Sequence, residues 1–274
     1  SNLGLTISVW ILSKSTKAEL VWLAFFLSFI PFLISLCANF YLFRKQFKIV
    51  KPSFKYVKFK ESKGIMSLGS KFFILQIIVL IIFQTDNILI AQFFKPSEVT
   101  NFNIAYKYYS IIAIIFTLIL TPYWTAFTEA YIKKDFVWVK GTVRKLLFYW
   151  VASVLMLSFM VLICNWSIHL WVGDAVIIPI SLSLSICAYI AVTNWNAIFA
   201  NFLNGVGKIK VQIIYAIVMG ILNIPICFLF VKIFKFGTFA MPLSNFVCLS
   251  LGAIISYIQY VKIINDDARG IWDK

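Results

Sequence analysis

The sequence predicts an all-α integral membrane protein, a polytopic helix bundle, on three observations. Of its 274 residues, 62% are hydrophobic and only 13% are charged, and the mean hydropathy is +0.92. A water-soluble domain would have about a quarter of its residues charged. Apolar stretches of about twenty residues, the length that crosses a bilayer as a helix, recur along the chain. Basic residues concentrate in every second loop between these stretches.

Seven apolar stretches are long enough to span a bilayer, and together they fill most of the chain. They cover residues 18–43, 66–94, 106–126, 146–164, 176–200, 211–234 and 239–261. An eighth stretch, residues 3–12, is too short to cross and is interpreted as the end of a helix that begins upstream. Because the first residue is Ser1 rather than a methionine, we expect the chain to be the C-terminal fragment of a longer protein.

The positions of the basic residues predict the orientation of the helices. Of 25 Lys and Arg residues, eight lie in residues 44–63 and five in 133–145, and a further five are Lys208, Lys210, Lys262, Arg269 and Lys274. Cytoplasmic loops are enriched in these residues, so these segments and the C-terminus are predicted to be cytoplasmic. The loops predicted to face outward are residues 95–105, 165–175 and 235–238. Orientation and attraction to anionic membrane lipids therefore explain the net charge of +15, and no nucleic-acid partner is expected.

The longest polar interval divides the chain. Residues 44–65 alternate lysines with aromatic side chains, which indicates a basic cytoplasmic linker that lies along the membrane surface or is simply solvated. Residues 1–43 precede it, and a six-helix unit, residues 66–262, follows, with a cytoplasmic tail at 263–274. Six spans with both ends inside is the size of one lobe in transporters built from two related halves.

Nothing in the sequence indicates an enzyme or a metal site. All five cysteines fall in or at the ends of apolar stretches, where they are interpreted as small buried hydrophobic residues. The sequence has a single histidine, His169, so neither a zinc site nor a Ser/His/Asp set is predicted. No cofactor is expected beyond a coupling ion, H⁺ or Na⁺.

The span at residues 66–94 is the least apolar and supplies most of the candidate site residues. With 100° per residue, Gln76, Gln84 and Asn87 share one stripe, and Asp86 lies about 80° from Gln76. Lys71 lies about 22 Å from Asp86 along the helix axis, too far to pair with it directly. Ionisable groups in a span mark transport pathways by default, which favours a water-lined cavity. The alternative is that the amides join neighbouring helices by hydrogen bonds.

Later spans add further candidates for the transport route: Lys107, Asn194, Trp195 and Asn201. Amides and tryptophan suit a cavity that handles sugar hydroxyls, but hydrogen bonding between helices explains them equally well. Pro122 is predicted to kink its span and Pro225 to break its span near the middle. The glycines of the segment Asn204-Gly205-Val206-Gly207 are predicted to end a helix in a tight turn.

Several segments resemble Wzx-type polysaccharide (O-antigen) flippases, of the multidrug/oligosaccharidyl-lipid/polysaccharide exporter superfamily. The resembling segments are FQTDNILIAQ (83–92), VTNFNIAYKY (99–108), NGVGKIKVQ (204–212), NIP (223–225), QYVKIIN (259–265) and ARGIW (268–272). The segment GTFAMP (237–242) departs from the family, which tends to small and β-branched residues there. The resemblance implies about twelve helices in two six-helix lobes, of which this chain supplies the end of the first lobe and the complete second lobe.

The resemblance also implies a function. The expected substrate is an undecaprenyl-pyrophosphate-linked oligosaccharide, moved across the bacterial cytoplasmic (inner) membrane by alternating access for polysaccharide biosynthesis. Membrane lipids and other polysaccharide assembly proteins are the further partners it suggests. A small-molecule, cation-coupled antiporter of the same superfamily is the first alternative, with a smaller cavity and one dominant carboxylate. A membrane-embedded polysaccharide polymerase or ligase is the second, and the short outward loops disfavour it.

Overall fold

The computed structural model describes residues 20–45, 47, 59–174 and 176–273; side chains are described except for residues 20–28 and several positions between 59 and 96. The chain divides into two compact units, Ser1–Ile65 and Met66–Lys274. The first contains helix α1 (Leu20–Lys45). The predicted segment 3–12 and most of the linker lie outside the described residues.

Helices occupy all seven predicted spans. After α1 come α2 (Phe59–Phe93), α3 (Pro96–Ile132), α4 (Phe136–Leu162), α5 (Cys164–Val172), α6 (Ile180–Val206), α7 (Lys210–Lys232) and α8 (Ala240–Ile264), followed by a 3₁₀ turn (Gly270–Asp273). Within the described residues five helices are long and apolar enough to cross a bilayer: Ser97–Ile132, Phe136–Leu162, Ile180–Val206, Lys210–Lys232 and Ala240–Ile264. The predicted fold class is therefore confirmed: this is a multi-pass helical membrane protein.

Helix α6 is the centre of the second unit. It packs against α3, α4 and α8, and α8 also packs against α7. Because lipid is as apolar as leucine, close backbone approach and polar contacts must hold such helices together. Gly205 provides one close approach: a Cβ there would lie 2.8 Å from the Trp124 carbonyl oxygen of α3. The Thr128 hydroxyl donates to the Gly205 carbonyl at 2.8 Å, across the same crossing.

Most helices are longer than the apolar stretches that predicted them. Residues 96–105, predicted as an outward loop, form the first turns of α3, and α2 begins at Phe59 within the predicted linker. The predicted loop 165–175 contains the short helix α5. These boundaries were wrong because polar residues at a helix end are compatible with the interfacial region just outside the hydrocarbon core.

Two local predictions also need correction. Helix α7 is continuous through Pro225, so the predicted break there is wrong. Helix α3 also continues through Pro122, where the kink stays a prediction. Membrane helices tolerate internal proline where neighbouring groups satisfy the freed carbonyl. Of the two glycines predicted to end α6, only Gly207 does so, with φ of 75° in the left-handed region, whereas Gly205 lies inside the helix.

The C-terminal tail folds back onto the bundle. The Gln259 side chain donates to the carbonyl oxygens of Lys208 and Trp272, both at 3.1 Å. Lys208 pairs with Asp273, and Lys262 lies 4.4 Å from the ring centre of Trp272. Burial opposes the charge on Lys208, but its hydrogen bonds to Asp273 and Tyr131 outweigh this effect and raise the pKa of Lys208. The tail thus fixes the loop between α6 and α7.

Candidate functional site

A cavity of about 170 Å³ lies inside the second unit, bounded by α2, α6, α7 and α8. Its polar lining comes mainly from amides and tyrosines: Tyr189, Asn196, Gln212, Tyr215, Asn223 and Asn245. Apolar residues such as Leu75, Met219 and Leu249 complete the wall. Gln212 and Asn223 lie eleven positions apart on α7, so the polar lining extends about 16 Å along that helix. The cavity wall is mostly apolar, and the amide and tyrosine groups form a polar stripe within it.

At one end of the cavity, the wall residues Asn223 and Asn245 contact the buried residues Asp86 and Ser244, and these four residues are called the acidic cluster. The Asn245 side-chain amide donates to Asp86 at 2.6 Å, which joins α8 to α2. Asn223 donates to the Asn245 carbonyl oxygen at 2.7 Å and to the Ser244 hydroxyl at 3.3 Å. All four side chains are buried, and Asp86 is only 1% exposed.

The acidic cluster has acceptor oxygens that lack donors. Asp86 Oδ1 and Asn223 Oδ1 are buried and have no hydrogen-bond partner within the described part of the chain. Unpaired buried acceptors are costly, and a buried carboxylate especially so. A proton or a cation on Asp86 would satisfy its unpaired oxygen. Chemically, then, the cluster is suited to hold a positive charge.

The neutral cluster, defined as Asn196, Tyr215 and Ser256, lies further along the same wall. The Ser256 hydroxyl is 2.9 Å from Asn196 Oδ1 and 3.2 Å from the Tyr215 oxygen. The Tyr215 hydroxyl oxygen is 3.4 Å from Asn196 Nδ2, from which it can accept, and 3.4 Å from Asn196 Oδ1, to which it can donate. Gly252 makes room for this arrangement, since a Cβ there would lie 2.7 Å from the Tyr215 ring. This cluster joins α6, α7 and α8 with hydrogen bonds between neutral groups.

None of the seven sequence-predicted site residues whose side chains the structure describes lines the cavity directly. Asp86 comes nearest, one hydrogen bond behind Asn245. Asn87 accepts a hydrogen bond from Asn103 of α3 at 2.9 Å, while Gln76 and Lys107 are exposed. The side chains of Lys71 and Gln84 lie outside the described residues.

The candidates on α6 face other parts of the bundle. Trp195 packs in an aromatic group, with its ring centre 4.9 Å from that of Trp150 and 5.5 Å from that of Phe199. Asn194 is buried, and its Nδ2 has no partner within the described residues. The buried Oδ1 of Asn201 is likewise without a described partner. The cavity-facing amide of this helix is Asn196, which the sequence did not single out.

A spacing pattern on α8 would have indicated the missed residues. Small and polar side chains recur there every three or four positions, at Asn245, Cys248, Gly252, Ser256 and Gln259. Such a stripe on a membrane helix is typical of a face that contacts other helices or a cavity. Of these five residues, Asn245 belongs to the acidic cluster, Ser256 belongs to the neutral cluster, and Gly252 makes room for the neutral cluster.

Comparison with known proteins agrees with this architecture. Residues 1–127 match the family described as "Polysaccharide biosynthesis protein". The chain is also 24% identical over 182 residues to a Yersinia pseudotuberculosis protein named as a candidate O-antigen export protein. That match covers 62% of this chain and 42% of the relative, less than half of its length. No solved structure matches the chain. The two matches confirm the resemblance to polysaccharide flippases that the sequence motifs indicated.

Proposed function

We propose that the protein takes part in moving an undecaprenyl-pyrophosphate-linked oligosaccharide across the bacterial cytoplasmic membrane, as a transporter rather than an enzyme. The observation that carries the proposal is the amide- and tyrosine-lined cavity inside an apolar bundle. Amide and hydroxyl groups form hydrogen bonds with sugar hydroxyls. The polar head of the substrate would therefore keep hydrogen-bonding partners while it crosses the hydrocarbon core. The family match and the named relative point the same way.

The cavity volume limits what this unit does by itself. About 170 Å³ is below the usual range of about 300–1,000 Å³ for pockets that hold drug-sized ligands. We therefore assign the cavity to one part of the transport route, used in alternating access, rather than to a pocket for a whole oligosaccharide. The same small volume, with one buried carboxylate, favours the second candidate function, a small-molecule antiporter.

We assign the coupling role to the acidic cluster. A proton or Na⁺ bound by Asp86 would satisfy the Asp86 oxygen that lacks a donor. Binding would also change the contact between α2 and α8, because the Asp86–Asn245 hydrogen bond joins these helices. An ion that binds one arrangement of the helices better than another shifts their population by that difference in affinity.

The complete gene, expressed in a bacterium that lacks its own polysaccharide flippase, tests the transport proposal. The expected result is restored surface polysaccharide and a reduced amount of lipid-linked oligosaccharide retained on the cytoplasmic side. If the glycan is not restored and resistance to cationic drugs rises instead, the antiporter is the correct function. Cells with an empty vector are the negative control, and cells that express the host's own flippase are the positive control.

The orientation proposed for the protein places the C-terminus and the basic linker in the cytoplasm. An impermeant thiol reagent applied to intact cells should modify a cysteine placed at Ser97, at the start of α3, but not one placed at Lys55. The parent protein provides the background from the five native cysteines. Modification of the cysteine at Lys55 but not of the cysteine at Ser97 would show that the protein has the opposite orientation in the membrane.

A further inference from the structure

One side of helix α4 changes from basic to apolar along its length. Lys140, Arg144 and Lys145, called the basic triplet, are exposed near the start of the helix. The exposed residues that follow on the same side are apolar, and each is 47–70% exposed: Phe148, Val151, Leu155 and Phe159. With 100° per residue, these four residues fall with Lys140 and Arg144 in a sector of about 100°, and Lys145 lies at its edge. The triplet therefore lies at one end of a continuous apolar surface.

The charges of the basic triplet are not neutralised by the residues around them. Within the described residues none of the three forms an ion pair, and α4 contains neither Asp nor Glu. The acid that precedes the helix, Asp135, caps it by accepting from the Trp138 amide at 3.0 Å. Lys145 lies 5.9 Å from the centre of the Tyr149 ring, a contact that leaves its charge in place. A Cβ at Gly141 would have no atom within 4 Å, so the space beside the triplet is open.

The spacing along α4 matches the depth of a bilayer. Val151 lies about 10 Å and Phe159 about 22 Å from Arg144 along the helix axis. The hydrocarbon core is about 30 Å thick, and Lys and Arg side chains extend from it toward the headgroups. With the triplet at the level of the headgroups, Val151 lies near the middle of the adjacent leaflet and Phe159 near the middle of the opposite one. A lipid whose phosphate contacts the triplet would have its acyl chains along Phe148 and Val151.

The exposed side of α4 suits a lipid better than another helix. Contacts between membrane helices are enriched in small residues, which allow the backbones to approach closely. The buried residues of α4, which packs against α3 and α6, include Thr142 and Ser153, whereas the exposed side presents Phe148, Leu155 and Phe159. An apolar helix packed there would also bury the charges of the triplet without partners, which is costly. An anionic headgroup supplies the opposite charge instead.

We propose that the basic triplet and the apolar surface beyond it bind an anionic phospholipid of the adjacent leaflet. The phosphate would accept charge-assisted hydrogen bonds from Lys140 and Arg144, and the acyl chains would contact Phe148 and Val151. The sequence indicated a general attraction of basic loops to anionic lipids, and the structure narrows this attraction to one surface. A lipid held there would fix the depth of α4 in the bilayer. The inference rests on the membrane location of the chain and does not depend on the transported substrate.

The test measures which lipid lies against each half of α4. The protein from the complete gene carries bimane on Val151→Cys, with Cys37, the exposed cysteine of the described residues, replaced by serine. It is reconstituted in phosphatidylcholine vesicles that contain increasing fractions of brominated phosphatidylglycerol or brominated phosphatidylcholine. Bromine quenches bimane at short range, so the two quenching curves give the preference for one lipid over the other. Bimane on Phe159→Cys, on the same side of α4, is the matched control for the opposite leaflet.

We expect a preference for phosphatidylglycerol of about fivefold or more at Val151 and close to one at Phe159. One Lys or Arg near a membrane surface contributes about this factor, so Arg144→Gln should lower the preference at Val151 by about fivefold. Arg144→Lys retains the charge and should keep most of it. Lys210→Gln removes the same charge from an exposed residue at the same end of the bundle, as the contact of Gly205 with Thr128 shows, and should leave the preference unchanged.

Three results would overturn the site. The same preference at Val151 and Phe159 would mean that the triplet attracts no lipid to its own leaflet. An equal loss in Arg144→Gln and Lys210→Gln would reveal a diffuse attraction to the whole basic end rather than a site on α4. Quenching at Phe159 but by neither lipid at Val151 would show that another part of the protein covers the surface.

Discussion

The acidic and neutral clusters each contribute two residues to the wall of the same cavity, but they differ in how completely their groups are paired. Ser256 of the neutral cluster donates to Asn196, and Tyr215 bonds with both, so the three hydroxyl and amide groups partner one another. In the acidic cluster one oxygen of Asp86 and one of Asn223 lack partners within the described residues. A paired network holds helices together, whereas a buried acid with unmet acceptors is costly and is kept where function needs it. We therefore assign structure to the neutral cluster and coupling to the acidic one.

The largest expected effect follows from crowding the acidic cluster with charge. Asn245→Asp would replace the amide that donates to Asp86 at 2.6 Å by a second carboxylate. Two carboxylates at this distance cannot both stay ionised, so we expect loss of export by more than about tenfold. The exchange variant, Asp86→Asn with Asn245→Asp, keeps one acid and one amide and should recover much of that loss. Export is measured as surface polysaccharide per molecule of membrane protein. An exchange variant no better than Asn245→Asp would mean that the acid must lie on α2.

The second effect concerns packing at the neutral cluster. Gly252→Ala would place a Cβ 2.7 Å from the buried Tyr215 ring, which would have to move away from Asn196 and Ser256. Overpacking of this kind typically costs about 1–3 kcal/mol, so the amount of folded protein and its thermal stability in detergent should fall. Gly69→Ala is the matched control, because a Cβ at Gly69 has open space around it. Equal loss in both variants would indicate helix propensity or lipid contact rather than the tyrosine.

The helices and the residues around the cavity show how much of this structure could be predicted from the sequence. Hydrophobic length placed all seven long helices, because a bilayer fixes that length. Hydrophobic length did not place the ends of these helices. It also did not reveal the short helix α5, whose apolar residues Trp166, Leu170 and Trp171 are exposed. Asp86 was singled out because an acid is rare in a span, whereas Asn194 was singled out and the cavity-lining Asn196 was not. Two positions on a helix differ by about 200°, and nothing in a uniformly apolar helix says which side faces the cavity.

The smallest effect should come from Ser256→Ala. The change removes hydrogen bonds to Asn196 and Tyr215 but leaves the shape of the cluster nearly intact. Hydrogen bonds between membrane helices average about 0.6 kcal/mol, so stability should fall by about that amount per bond. Export per molecule should stay at the wild-type rate. A large loss of export without a loss of protein would give the neutral cluster a role in transport and remove the distinction drawn between the clusters.

The most direct test of that distinction is the export rate of Asp86→Asn, measured beside Ser256→Ala at matched protein levels in the membrane. Asparagine nearly conserves the shape of Asp86 and retains an acceptor for Asn245, but it removes the charge. If Asp86 holds the coupling ion, Asp86→Asn reaches normal levels and exports about tenfold more slowly or worse, as expected when an interaction of about 1.5 kcal/mol with a charged group is lost. Export at the wild-type rate by Asp86→Asn would show that the acid only joins α2 to α8, and the assignment of coupling to this cluster would be wrong.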